Sequence, residues 1–354
     1  MNTLNLCKKL ISYRSVTNNR EICKEIVEFV IDYIQKGREK VYIRRFVYEG
    51  RQSVLFTTQD SLEIDFLMVG HLDVVPGEES LYIPKERKGI LYGRGACDMK
   101  GTVSAMIQVF KDSTSKKNIG LYLSTDEEEG GEYGAGKIVG IEGFSCNTVF
   151  VPDSLPNWTL TVGQKGVDII KISSKGKSCH SSELWLGKNA IDILIGAYGD
   201  LKKEYNGENR NESVTVSLNK IQGGNAVNVV PEKAEIVLDV RYPTEKDRLY
   251  FLKRLKNLCN RRNIKWEVMA RGECINVEVE DVRIKRFLNI VLKRGIEYRI
   301  DKECGSSDAR YFNNATACIM FMPVCGGAHE DEEWLNIETL YVFEDILREY
   351  VGLL

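Results

Sequence analysis

The chain has 354 residues, 43% hydrophobic and 28% charged, a globular composition with room for two or three domains. Lys and Arg number 49 against 51 Asp and Glu, a net charge of −2, so no basic excess exists to neutralise a phosphate backbone and nucleic acid is not expected as a partner. No segment nears the ~18 consecutive apolar residues that span a bilayer, no signal peptide is read at the N-terminus, and ten scattered cysteines form no CxxC pair, so the expectation is a reduced, cytoplasmic protein with no membrane partner.

In chain order, Asn18 and Glu21 form a cap-like pair ahead of Ile22, Ile26, Phe29, Val30 and Tyr33, which recur at helical spacing. Apolar runs follow at 66–70, 119–124 and 148–151, each short and each ending in turn or charged residues. They suit strands buried on both faces of a sheet, with a helix expected over 102–110. After Gly166 the pattern changes. Segments 167–172, 214–218 and 234–240 alternate in period two, as half-buried strands do. One helix carries Ile191, Leu194, Tyr198, Leu201 and Tyr205; another carries Leu249, Leu252 and Leu255; 264–269 closes the set. That order is β-α-β-β-α-β, a ferredoxin-like split unit. Beyond Asn276 come a helix at 282–292, an apolar run at 317–323 and a last helix from Ile337 to the end. The expected fold is α/β: a mixed-sheet domain sandwiched by helices (1–165 and 276–354), with an inserted α+β domain (166–275).

Only three histidines are present: His71, His180 and His329. Strand 66–70 runs into His71-Leu72-Asp73, strand 119–124 into Asp126-Glu127-Glu128-Glu129, and strand 148–151 into Asp153; the run 317–323, read as a strand like these, precedes His329. Cys97-Asp98 stands just before a helix. In open α/β sheets, ligands bind beyond the C-terminal ends of the strands, so these imidazoles and carboxylates suit a divalent-metal site. Asp73 is placed to receive the second ring N–H of His71. Of two adjacent glutamates, one can bind metal while its neighbour faces a water. Singly, each feature has an ordinary reading as a structural histidine, a solvated acidic loop or a turn aspartate. Gly93-Arg94-Gly95 lacks the third glycine of a phosphate loop. Cys179 and His180, adjacent in an extended segment, point apart and do not make a nucleophile pair. Cys97 is expected to pack as a small apolar residue.

Together these segments resemble the two-zinc amidohydrolase family of acetylornithine deacetylase, succinyl-diaminopimelate desuccinylase, aminoacylase and carboxypeptidase G. The resemblance runs through Gly70-His71-Leu72-Asp73, Tyr92–Gly101, Thr125–Glu128, Gly163–Gly166, Cys179–Ser182, Asn228–Pro231, Asp239-Val240-Arg241, Gly305–Arg310 and His329 with Glu333. It implies two divalent ions, zinc first with cobalt or manganese as alternatives. His71 and Asp153 would hold one, Glu128 and His329 the other, and Asp98 would bridge them. Glu127 would be the general base, with Asp73 behind His71. The peptide after Asp98 is often cis in that family. His180, on an inserted lid and dimerisation domain, would stabilise the oxyanion, reaching across to the partner subunit's site of a homodimer. Asn228, Arg241, Gly305 and Arg310 would hold the substrate carboxylate. Glu129 and Glu330–Glu332 have no role in this reading beyond solvated charge.

The implied activity is cleavage of an amide bond in a small N-acyl amino acid, of deacetylase or desuccinylase type. A dipeptidase or carboxypeptidase acting on short peptides needs the same residues and is the alternative. A metal-free binding protein is the reading from another class, and it expects a ligand or the base to be missing; none is. Asp153 leans toward peptidase-like and aminoacylase-like members, whereas Gly305–Arg310 leans toward desuccinylases, so the acyl group stays open.

Overall fold

A computed structural model describes residues 1–205, 212–313 and 315–354. The chain forms two compact units, one of residues 1–162, 277–302 and 307–354, the other of 163–276 with 303–306.

The first unit is built on a six-stranded mixed sheet. Its order is Tyr42–Tyr48, Arg51–Thr57, Ile119–Ser124, Glu63–His71, Ser145–Phe150, Ala317–Ile319. The first two neighbouring pairs are antiparallel and the other three parallel. All six residues of Ile119–Ser124 are buried, the pattern of a strand covered on both faces. Register pairs His71 with Ser124 and Met68 with Phe150. Three parallel strands therefore end close together, and the loops carrying His71, Asp126–Glu128 and Asp153 leave from one edge.

Helix Lys100–Asp112 is central. Every residue from Lys100 to Phe110 is buried, so the helix has no solvent face and its apolar residues need no amphipathic period. Val103, Met106, Ile107 and Phe110 join Phe66, Met68, Phe287, Phe343 and Tyr350 in one core. Even Lys100 is fully buried; its ammonium donates to the Tyr13 carbonyl at 2.9 Å, and burial brings its pKa down to about 7.

Two expectations are corrected here. The cap of helix Arg20–Gly37 is Asn19, whose side chain accepts from the Ile22 amide. Asn18 instead donates to Glu129 at 2.6 Å. In the run 317–323, only Ala317–Ile319 is strand beside Thr148–Phe150. Beyond it the carbonyls of Met320 and Met322 accept from Thr161 and Trp158, because a second chain segment takes over the pairing.

The second unit has its own core, with Ile170, Ile172, Leu194, Leu238, Val240, Phe251 and Leu255. Its elements run strand Gly166–Lys175, helix Ala190–Glu204, strands Thr215–Gly223 and Lys233–Tyr242, helix Glu245–Arg262, strand Lys265–Gly272. All three strand pairings are antiparallel, and the β-α-β-β-α-β order is that read from the sequence. Strand Gly166–Lys175 alternates buried and half-buried residues, as a sheet with one covered face requires.

Candidate active site

His71 is the last residue of its strand and is 1% exposed. Its Nδ1 lies 3.0 Å from the Asp73 backbone carbonyl, with the Asp73 carboxylate at 3.5 Å. The expected carboxylate partner is thus the longer contact, and the carbonyl fixes the ring. With its proton on Nδ1, the ring presents Nε2 to the cleft. That Nε2 is 3.0 Å from Asp98 Oδ1. Asp98 Oδ2 is 3.1 Å from His329 Nε2, and Glu128 Oε2 is also 3.1 Å from it. Asp98 so faces both imidazoles, one through each oxygen. The Asp98–Met99 peptide is cis.

Two groups of donor atoms each lie within 4.8 Å: His71, Asp98 and Glu128, and His71, Glu127 and Asp153. Six residues from distant parts of the sequence therefore converge in the first unit. Asp73 closes the site from behind: its Oδ2 accepts from Thr17 Oγ1 at 2.8 Å and from the Glu128 amide at 3.3 Å. His180, Asn228, Arg241 and Gly305 belong to the second unit. There His180 is exposed, with Nδ1 2.7 Å from Ser182 Oγ. Arg241 forms a fork on the Asp239 carboxylate at 2.8 and 3.1 Å. Arg310 lies in the first unit, its guanidinium on the Gly130 carbonyl.

The electrostatics are those of a site built around cations. Four carboxylates (Asp98, Glu127, Glu128, Asp153) meet two imidazoles, and the Glu128 Oε1 oxygen is buried without a hydrogen-bond partner. Such an excess of buried negative charge requires compensation. Burial raises the Glu127 carboxyl well above the usual range, and Asp153 raises it further. The carboxylates of Asp98 and Glu128 raise His329 to about 10. Burial opposes protonation of His71, but Asp73 and Asp98 outweigh it and hold the ring well above its ordinary value. Burial would also raise Asp98; His329 and His71 hold it below the usual carboxylate range. Divalent ions replacing those protons would compensate the carboxylates, and the donor set of imidazole and carboxylate fits such ions.

Two contributions go beyond the sequence reading, which quoted Glu333 in the resemblance without giving it a role and read Glu129 as solvated charge. Glu333, 2% exposed, accepts from the amides of Gly95, Cys97 and Asp98 at 2.8–2.9 Å and from Arg94 at 2.9 Å. It fixes the backbone that presents Asp98. Its spacing of four from His329 is the signal for it. Glu129, read as solvated charge, pairs with Arg51 and with Asn18. Cys97 is buried against Cys325, and Glu330–Glu332 are exposed, as expected.

The family model of peptidase family M20/M25/M40 matches residues 67–352. A succinyl-diaminopimelate desuccinylase of Vesicomyosocius okutanii is 26% identical over 381 residues, covering 97% of this chain and 96% of that one. A LysW-lysine/LysW-ornithine hydrolase of Sulfurisphaera tokodaii is 22% identical over 342 residues, covering 95% and 94%. A metallo-carboxypeptidase of Sulfolobus solfataricus has the same fold, with a TM-score of 0.78 at 17% identity over 100% and 99% of the two chains. Among the described residues no helix is long and apolar enough to cross a membrane.

Proposed function

The chain belongs to peptidase family M20/M25/M40 and is a metal-dependent hydrolase of small substrates; from that premise we propose that it uses two divalent ions, zinc first, to cleave the amide bond of a small N-acyl amino acid. The observation that carries the reading is Asp98 between two imidazoles, one 3.0 Å from Oδ1 and the other 3.1 Å from Oδ2, with Glu127 beside them.

His71 and Asp153 would hold one ion, Glu128 and His329 the other, and Asp98 both. Ions so held would polarise the scissile carbonyl and acidify a water. Glu127 takes the proton from the attacking water and delivers it to the leaving amine, a role suited to a carboxylate whose proton affinity burial has raised. Asp73 holds His71 through its carbonyl and the Glu128 amide through its carboxylate, so one residue orients a donor to each ion. His180 serves as the oxyanion donor from the second unit, and Asn228, Arg241, Gly305 and Arg310 receive the substrate carboxylate. The protein acts in the cytoplasm as a homodimer formed through the second unit.

Elemental analysis of gently purified protein, beside the His71→Ala variant, tests the metal reading. About two equivalents, falling sharply in the variant, are expected. Near-zero metal that cannot be reconstituted would instead favour a binding protein. A panel of acetyl- and succinyl-amino acids against dipeptides then separates the deacylase from the dipeptidase or carboxypeptidase alternative. The desuccinylase and the lysine/ornithine hydrolase among the relatives favour the deacylase.

A further inference from the structure

Glu127 and Glu128 sit in a single 3-10 turn, Glu127–Glu129, closed by Gly130 in the left-handed region at φ 102° and followed by Gly131 at φ 63°. So short a turn has little structure of its own. Its backbone bonds are Glu129 and Gly131 onto the Asp126 carbonyl, and Gly130 onto that of Glu127. Yet two adjacent side chains must leave it in different directions, one toward Asp153 and His71, the other toward His329. Two glycines in succession supply no side chain to lock it.

Asp73 takes the Glu128 amide, and Arg51 and Asn18 hold the Glu129 side chain; a further hold acts on the far, carbonyl end of the turn. The Gly130 carbonyl accepts from the Tyr311 hydroxyl at 2.7 Å and from Arg310 Nη2. The Arg310 guanidinium lies over the Tyr311 ring, 4.9 Å from its centroid. A Cβ on Gly131 would come within 3.2 Å of that ring, so the turn and the ring are in close contact. The segment bearing both residues, Asp308–Phe312, is itself tied to the strand end: Ser124 Oγ donates to Asp308 at 3.2 Å.

We propose that Tyr311, together with Arg310, is a positioning residue for the hydrolytic reaction: the pair grips the Gly130 carbonyl and so fixes the turn that aims Glu127 and Glu128. The inference rests on the roles given above to those two glutamates. It reassigns Arg310 from holding the substrate carboxylate to holding the catalytic turn. The distinction has kinetic content. A carboxylate clamp acts on substrate binding, whereas a latch on the turn acts on the base and on one metal donor, and hence on turnover and metal affinity.

The test compares wild type with Tyr311→Phe, Arg310→Lys and the double variant. With Co²⁺-loaded protein and one N-acyl amino acid, kcat falls about tenfold in each single variant, the scale of a lost outer-shell partner. KM stays within about twofold of wild type. The double variant falls by less than the product of the two, since both bonds end on one carbonyl. Co²⁺ titration of the apo protein, followed by visible absorption, shows one equivalent weakened and the other unchanged. Amide exchange over residues 126–131 quickens. Wild-type values of kcat, Co²⁺ affinity and exchange in Tyr311→Phe overturn the proposal. A raised KM with unaltered kcat in Arg310→Lys overturns it for Arg310 and restores the clamp. A wild type that takes up no metal and hydrolyses nothing overturns the functional reading instead; exchange over 126–131 in Tyr311→Phe then still decides whether the latch holds the turn.

Discussion

Glu333 carries out its work one bond away from the chemistry. Its carboxylate accepts the amides of Gly95, Cys97 and Asp98 and the Arg94 guanidinium, both charged partners being no more than 3% exposed. Removing one member of such a buried pair leaves the other charge uncompensated, at a cost of about 3–5 kcal/mol. Glu333→Ala should therefore show a loss of that order in denaturant unfolding, and its metal content should fall because the Asp98 backbone loses its anchor; unchanged stability and metal would refute the role. Glu127→Gln isolates the opposite case. It keeps the volume and the metal donors, so elemental analysis should match wild type while turnover drops at least ~100-fold. Turnover near wild type would remove Glu127 as the base. The gathering of His71, Asp98, Glu127, Glu128, Asp153 and His329 was legible because the first five stand just past a strand end or before a helix, and His329 is one of only three histidines. The role of Glu333, quoted in the resemblance but given none, and that of Tyr311 were not, because each acts on a backbone amide or carbonyl. Such a partner has no residue-type signature, and only the folded chain brings it near. The Asn18–Glu21 cap failed for a related reason: either asparagine can cap, and Asn18 is claimed by Glu129, a residue remote in sequence.

Helix Lys100–Asp112 shows where propensity gives way to packing. Gly101 lies in its first turn, where alanine would gain at most about 1 kcal/mol of helix propensity. A Cβ at that position, however, would lie 2.4 Å from the Ala96 carbonyl oxygen and 2.5 Å from Leu335 Cδ2. The Ala96 backbone belongs to the loop fixed by Glu333 and cannot simply retreat. Overpacking of this kind costs about 1–3 kcal/mol, so Gly101→Ala should be net destabilising, read as a lower denaturant midpoint with an unchanged slope. A raised midpoint would show that the loop yields. Strand Ile119–Ser124 was readable to its ends because a fully buried strand is a continuous apolar run bounded by charge. The run at 317–323 was not, because apolar residues that pair with a second segment after leaving the sheet have the same composition as a longer strand. The change to period two after Gly166 was legible because the second unit's sheet has one covered face, which imposes alternation.

At the scale of the whole molecule, the two separate cores divide the labour: the first unit holds every proposed metal donor, and the second holds the exposed His180. Chelation should consequently abolish turnover while leaving the second unit's core intact, and Zn²⁺ or Co²⁺ should restore it; full activity after exhaustive chelation would end the metal reading. Where His180 acts is settled by mixing. His180→Ala lacks the oxyanion donor and Glu127→Ala lacks the base, so each homodimer is defective at both sites. Suppose His180 serves the partner subunit's site. In a mixed dimer, the subunit that retains Glu127 then receives an intact His180 from the other, and one site is complete. Random reassociation of equal amounts places half the dimers in that mixed form, so about one quarter of wild-type turnover should return. If His180 serves its own subunit, every site keeps one lesion and the mixture shows no more than the average of its parts. Light scattering on the same sample supplies the control: a monomer would sink both the dimer and the action across it, whereas a dimer without complementation would keep the assembly and return His180 to its own chain.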